Sequence, residues 1–214
     1  MTHPKYIAFD LDGVLVDTDE LHKVAVNDAL VVAVGPQAII TEDEHLKIFK
    51  GLPTKRKIFM LRQMGRIDDG QGEAMFVLKQ EHTVKAIAKL IKPDQEKVEL
   101  LEHLKRIGFE LAVCSNCITD SVRLLLGCSD LRRFLSFTIS NEEVSKSKPD
   151  PEMYLKAADR FGIKPSEMIV IEDGDAGKKA AMDAGAILIG VNGPEDVNVT
   201  KLLPRILEVP KTQV

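Results

Sequence analysis

An α/β fold is predicted: a Rossmann-like parallel sheet with an all-helical cap domain inserted after its first strand. Three observations predict it. From residue 94 onward, helix-period stretches alternate with short apolar runs, the pattern of a parallel sheet covered on both faces. Upstream, one isolated apolar run at Lys5–Asp10 is followed by residues 17–92, which read as helical throughout. Finally, carboxylates, glycines and lysines collect where the apolar runs end, the edge at which doubly wound sheets build their sites. The expected domains are therefore an α/β core of residues 1–16 and 93–214 and a cap of residues 17–92.

Each element has a local reason. Lys5–Asp10 is a short buried strand ending in acids. Leu21–Val34 places Leu21, Val24, Ala25, Ala29 and Val32 near helical spacing, and Gly35-Pro36 stops it. Thr41 followed by Glu44 is a capping-box pair opening a short helix over Leu46–Phe49. Gly51-Leu52-Pro53-Thr54 reads as a turn and a new N-cap, with a helix running on to about Gly65. Gly72–Ile91 is a longer amphipathic helix ended by Lys92-Pro93. The second half reads as helix 94–107, strand 109–114, helix 118–126, strand 135–140, helix 151–161, strand 168–171, helix 175–184 and strand 186–191.

The totals exclude several function classes. At 214 residues, 44% hydrophobic and 29% charged, the chain has the balance of an ordinary globular protein. A net charge of −4 argues against nucleic acid as a partner, since a phosphate backbone calls for a basic surface. No apolar stretch approaches the length that spans a bilayer, so no membrane association is expected. Met1–Lys5 leads straight into a strand, which leaves no room for a secretion signal, and a cytoplasmic monomer is the expectation. Three cysteines, an odd number, argue against a disulfide framework.

The chemistry is concentrated at the strand ends. Asp10 and Asp12 follow the first strand, with Gly13 turning the chain. Ser115 and Asn116 follow the second, and a loop with Lys146 and Lys148 follows the third. Glu172, Asp173 and Asp175 follow the fourth. Acids crowded in this way repel one another, and a bound cation relieves the repulsion. Oxygen donors suit a hard ion such as Mg²⁺, which retains sites for water and substrate phosphate. A lysine and a hydroxyl nearby suit phosphoryl oxygens, so the cluster points to phosphoryl transfer on a small phosphorylated metabolite. Asp10 would attack phosphorus. Asp12, on the same side by strand alternation, would protonate the leaving alcohol and then activate water.

These motifs resemble the haloacid dehalogenase superfamily, in its helical-cap phosphatase and β-phosphoglucomutase branch, over nearly the whole chain. Phe9-Asp10-Leu11-Asp12-Gly13-Val14-Leu15-Val16-Asp17-Thr18 resembles the first motif and Cys114-Ser115-Asn116 the second. Lys148-Pro149-Asp150-Pro151 resembles the third, and Ile171-Glu172-Asp173 with Gly177 and the run Ala180–Gly185 the fourth. The resemblance implies that Asp10 is nucleophile and metal ligand, and that Asp12 is a ligand through its carbonyl and the acid/base through its side chain. It makes Asp173 a ligand, with Glu172 in or beside the metal shell. It assigns Ser115, Asn116 and Lys148 to the phosphoryl oxygens, and it chooses Lys148 over Lys146. Aspartate at position 12 argues against the dehalogenase branch. In the cap, Thr18 and His22 match positions near the acid/base.

The chain also departs from the pattern. Gly174 stands where many relatives carry serine, and Asp175 adds an acid, so either Glu172 or Asp175 completes the metal shell. Thr54 stands where the mutase places an arginine for its second phosphate, with Lys55 or Arg56 as substitutes, which favours hydrolysis of a phosphate monoester, a sugar phosphate being one choice, over the mutase alternative. Hinges are expected near Val16–Asp17 and Lys92–Pro93, letting the cap close over the site.

Blander readings stand beside these. Asp10 to Gly13 could be an ordinary solvated turn. Cys114-Ser115-Asn116-Cys117 is formally a C-x-x-C, read either as a redox dithiol or as a buried strand-end cysteine with a chance neighbour. Lys146 and Lys55-Arg56-Lys57 read as solvated charges, and the apolar stripes of 21–34 and 75–91 as cap core.

Overall fold

A computed structural model describes residues 5–49, 52 and 54–210. The strands are β1 (Tyr6–Phe9), β2 (Glu110–Cys114), β3 (Phe137–Ile139), β4 (Met168–Glu172) and β5 (Ile187–Gly190). The helices are α1 (Asp19–Ala33), α2 (Glu42–Glu44), α3 (Thr54–Gln63), α4 (Asp69–Leu90), α5 (Gln95–Arg106), α6 (Thr119–Cys128), α7 (Glu152–Phe161), α8 (Asp175–Asp183) and α9 (Leu202–Leu207). The chain divides into two compact units, residues 1–17 with 92–214 and residues 18–91.

In the first unit the strands form one sheet in the order β3-β2-β1-β4-β5, every pairing parallel. This is the predicted Rossmann-like sheet. The direction of strand succession reverses between β1 and β4, the switch point where such sheets leave a crevice at their carboxyl ends. Strand side chains alternate between faces. Ala8, Cys114, Met168 and Val170 are buried against Tyr154, Ala157, Ala158, Ala180 and Ala181 of α7 and α8. Ile7, Phe9, Leu111, Val113, Ile169 and Ile171 are equally buried on the opposite face. Two apolar faces explain why β1 and β4 read as continuous hydrophobic runs.

The second unit has its own core. Val26, Ala29 and Leu30 of α1 meet Ile58 and Leu61 of α3 and Met75 of α4, with Ile40, Phe49 and Ile67 from the connections. Asn27 ties the connection after α1 by donating to the Ile40 carbonyl at 3.0 Å and accepting from its N–H at 2.9 Å. No helix among the described residues is long and apolar enough to cross a membrane.

Three elements differ from expectation. α4 opens at Asp69, not Gly72, because Asp68 and Gln71 form a capping box upstream of the glycine. Thr54 is already the first helical residue of α3 and not its cap, while Lys50, Gly51 and Pro53 of that turn lie outside the described residues. α9, beyond the last expected strand, tolerates Pro204 because it sits in the first turn, where no intrahelical N–H is needed. The Thr41–Glu44 capping box forms as read, and Leu46–Phe49 fall in a π-helical turn over His45–Phe49.

Candidate active site

The register of the sheet assembles the site. Phe9 pairs with Val113 on one side and Ile171 on the other, so Asp10, Cys114 and Glu172 stand level at the strand ends. Asp10 N–H still donates to the Ile171 carbonyl at 2.9 Å, which anchors the residue to β4. Alternation from Ala8 and Val170 turns Asp10 and Glu172 toward the face covered by α7 and α8.

Lys148 joins them. Its ammonium donates to Asp10 Oδ1 at 2.7 Å, to Glu172 Oε1 at 2.6 Å and to the Cys114 carbonyl at 2.7 Å. All three protons are used, as a buried ammonium requires. Burial alone would depress its pKa, but Asp10 and Glu172 reverse that and hold it above the ordinary lysine range. Tyr154, completely buried on α7, donates its hydroxyl to the same Glu172 oxygen at 2.5 Å. One oxygen of Asp10 is therefore pinned by Lys148, and the other is left to the chemistry.

Asp173 completes an acidic group. One oxygen each of Asp10, Glu172 and Asp173 lies within 4.8 Å of the other two. Burial raises the pKa of Asp10 well above the ordinary carboxylate range, with Lys148 opposing and Glu172 and Asp12 adding. Burial, then Glu172, raises that of Asp173. Three oxygen donors, two of them held toward protonation, fit a hard divalent cation. Asp175 is exposed on the first turn of α8 and outside this group, so Glu172 is the acid that the fold brings in.

Two glycines make the crowding feasible. Gly13 has φ +80°, and a Cβ there would fall 2.3 Å from Asp173 Oδ2. Gly177 lets α8 approach Glu172 so closely that a Cβ would lie 1.9 Å from its Oε1. The Glu172 carboxylate cannot swing aside cheaply, because Lys148 and Tyr154 hold it.

Asp12 makes different contacts. The chain turns back at once, with Gly13 N–H donating to the Val16 carbonyl at 2.9 Å and Val16 N–H to the Leu11 carbonyl at 3.0 Å. Asp12 Oδ2 accepts from Ser115 Oγ at 3.3 Å and from Cys117 Sγ at 3.2 Å. Asn116 spends its amide on the backbone of Lys148, accepting from the N–H at 3.1 Å and donating to the carbonyl at 3.2 Å. It thus ties the loop after β2 to the loop that carries Lys148. Lys146 is exposed and 3.7 Å from Asp150, in keeping with a solvated charge. Thr18 is the N-cap of α1 and His22 lies on its first turn, both in the helical unit. Sequence reasoning gave Tyr154 no part. A tyrosine on an inward helical stripe is its one signal, because a buried hydroxyl needs an acceptor.

A doubly wound sheet whose switch point holds a lysine-pinned aspartate beside two further acids defines an α/β enzyme. The family of haloacid dehalogenase-like hydrolases matches residues 7–191, and the chain belongs to that family. It is 30% identical over 179 residues to the phosphorylated carbohydrates phosphatase of Thermotoga maritima, covering 84% of this chain and 81% of that protein. It is 25% identical over 187 residues to the fructose-1-phosphate phosphatase of Escherichia coli, covering 86% and 95% respectively. The crystal structure of a putative β-phosphoglucomutase from Thermotoga maritima superposes with a TM-score of 0.74 at 26% identity, covering 96% of this chain and all of that one.

Gly177→Ala should destabilise the protein by about 1–3 kcal/mol, through a clash that neither α8 nor the pinned carboxylate can relieve. Urea unfolding measures it, and a loss below about 0.5 kcal/mol would show that the contact relaxes freely. Burial pushes the Cys114 thiol up to about 12 from an ordinary 9.0. A raised folded pKa stabilises fully below the unfolded value, and that contribution is lost as pH climbs from about 9 toward about 12. Iodoacetamide near pH 8 should therefore leave Cys114 unlabelled in the folded protein and label it in urea, as read by mass spectrometry.

Proposed function

We propose that this chain is a Mg²⁺-dependent phosphatase of small phosphate monoesters, sugar phosphates among them, working through a phosphoaspartate on Asp10. The observation that carries the reading is the pinning of one Asp10 oxygen by Lys148 within reach of Glu172 and Asp173. Asp10, Asp173 and Glu172 would hold the cation, with the Asp12 carbonyl as a further donor. When bound, that cation neutralises charge on the phosphoryl oxygens.

The chain's own residues do the rest. The second oxygen of Asp10 attacks phosphorus and displaces the ester oxygen. Asp12, as the carboxylic acid, gives its proton to that leaving oxygen. A water then attacks the phosphoaspartate, Asp12 takes its proton, and inorganic phosphate leaves with Asp10 regenerated. Ser115 and Lys148 supply donors to the phosphoryl oxygens, Lys148 by exchanging one of its present acceptors. Asn116 holds the lysine loop in register and stands with Ser115 and Lys148 at the phosphoryl oxygens. Residues 1–16 and 93–214 serve as the catalytic core, and residues 17–92 as the cap that selects substrate with Thr18 and His22.

Support for hydrolysis over a mutase comes from the names of the two curated relatives above, one a phosphatase of phosphorylated carbohydrates and the other of fructose 1-phosphate. The net charge of −4 favours a small anion held in a local site over a nucleic acid.

With p-nitrophenyl phosphate and Mg²⁺ the protein should release inorganic phosphate. EDTA should abolish that release and added Mg²⁺ restore it. Asp10→Asn should reduce turnover to background with an unchanged circular dichroism spectrum, and Asp12→Asn should slow it by about 10²–10⁴-fold. Undiminished turnover in Asp10→Asn would exclude the covalent route. A panel of phosphorylated sugars would identify the substrate class.

A further inference from the structure

Glu172 has two donors on one oxygen. Lys148 Nζ donates to Oε1 at 2.6 Å, and the Tyr154 hydroxyl donates to the same atom at 2.5 Å. A carboxylate oxygen has two lone pairs, so Oε1 is filled. Oε2 accepts no hydrogen bond among the described residues and is the oxygen left for a cation. Asp10 is held differently, with Lys148 alone on its Oδ1.

The two donors are not equally free to leave. Tyr154 is wholly buried in the cluster with Ala8, Cys114, Ile139 and Met153, and its ring stands 4.9 Å from Lys148 Nζ. It has no second acceptor within the cluster and no route to solvent. Lys148 is the donor with a further task, the phosphoryl oxygens. Its three protons are already used on Asp10, Glu172 and the Cys114 carbonyl, so one acceptor must be given up. Giving up Asp10 would strip that oxygen of its one donor. Giving up Glu172 leaves Oε1 with the Tyr154 hydroxyl still in place.

We infer that Tyr154 is a positioning residue, whose hydroxyl keeps Glu172 presented to the cation when Lys148 turns from that carboxylate to the phosphoryl group. The inference rests on the phosphatase reading above. Hydrogen bonds of this kind, from an outer residue to a metal-binding carboxylate, carry about 10–100-fold in metal affinity.

The test measures cation binding directly. Mn²⁺ stands in for Mg²⁺ on oxygen donors, and its free concentration is read by electron paramagnetic resonance, with and without saturating inorganic phosphate. Tyr154→Phe removes the hydroxyl and keeps the ring. With phosphate present, its Mn²⁺ affinity should fall about tenfold below that of the unaltered protein. Without phosphate the loss should stay below about threefold, because Lys148 still holds Oε1. In turnover of p-nitrophenyl phosphate, the Mg²⁺ concentration at half-maximal rate should rise about tenfold, while the rate at saturating Mg²⁺ stays within about twofold. Should Tyr154→Phe not fold, as read by circular dichroism, Tyr154→Met carries the same expectation, being flexible enough to fill the space and without a hydroxyl.

Unchanged Mn²⁺ affinity in the presence of phosphate, or an equal loss with and without it, would overturn the assignment while leaving the phosphatase reading intact. An unaltered protein that binds no Mn²⁺ and releases no phosphate would instead remove the reading and the inference together.

Discussion

The structure turns on one buried ammonium. Lys148 sits between Asp10 and Glu172, with the Cys114 carbonyl as its third acceptor. Stripping water from three charges costs several kcal/mol each, and only close contacts with every proton used offset that. The requirement propagates outward. Strand ends must be level so that Asp10 and Glu172 present oxygens at one height. Asn116 must hold the lysine's backbone from a neighbouring loop. Tyr154 must bring a second donor to Glu172 from α7, and α8 must come close enough that only glycine fits at 177.

Within this frame, three aspartates of identical chemistry are made different by surroundings alone. Asp10 is buried against a cation and two like charges. Asp173 is half-buried, pressed against Gly13 and raised by its neighbour Glu172. Asp12 faces a hydroxyl and a thiol. Burial and neighbouring charge, not residue type, set what each of these carboxyl groups can do.

Much of this was legible in the sequence because strand ends announce themselves. β1 and β4 are apolar runs that stop at acids, and a doubly wound sheet brings such ends together whatever the loops do. The choice of Lys148 over Lys146 came from the Lys148-Pro149 motif and not from spacing or charge. Both lie on one loop, and only the fold buries one and leaves the other in solvent. Tyr154 was hidden because its apolar ring accounts for its place on the helix and its hydroxyl leaves no periodic mark. The start of α4 was obscured by Gly70 and Gly72, which read as breakers until the Asp68–Gln71 cap is seen to precede them.

The helical unit folds around a core of its own, with Val26, Leu30, Leu61 and Met75 packed among its own helices and none of the strand residues included. Substitutions buried there and far from the sheet should add their effects independently of those at the strand ends. Heritable variation in this insertion can accumulate while the reactive apparatus stays constant, which gives a lineage of such proteins a way to diversify without re-inventing its chemistry.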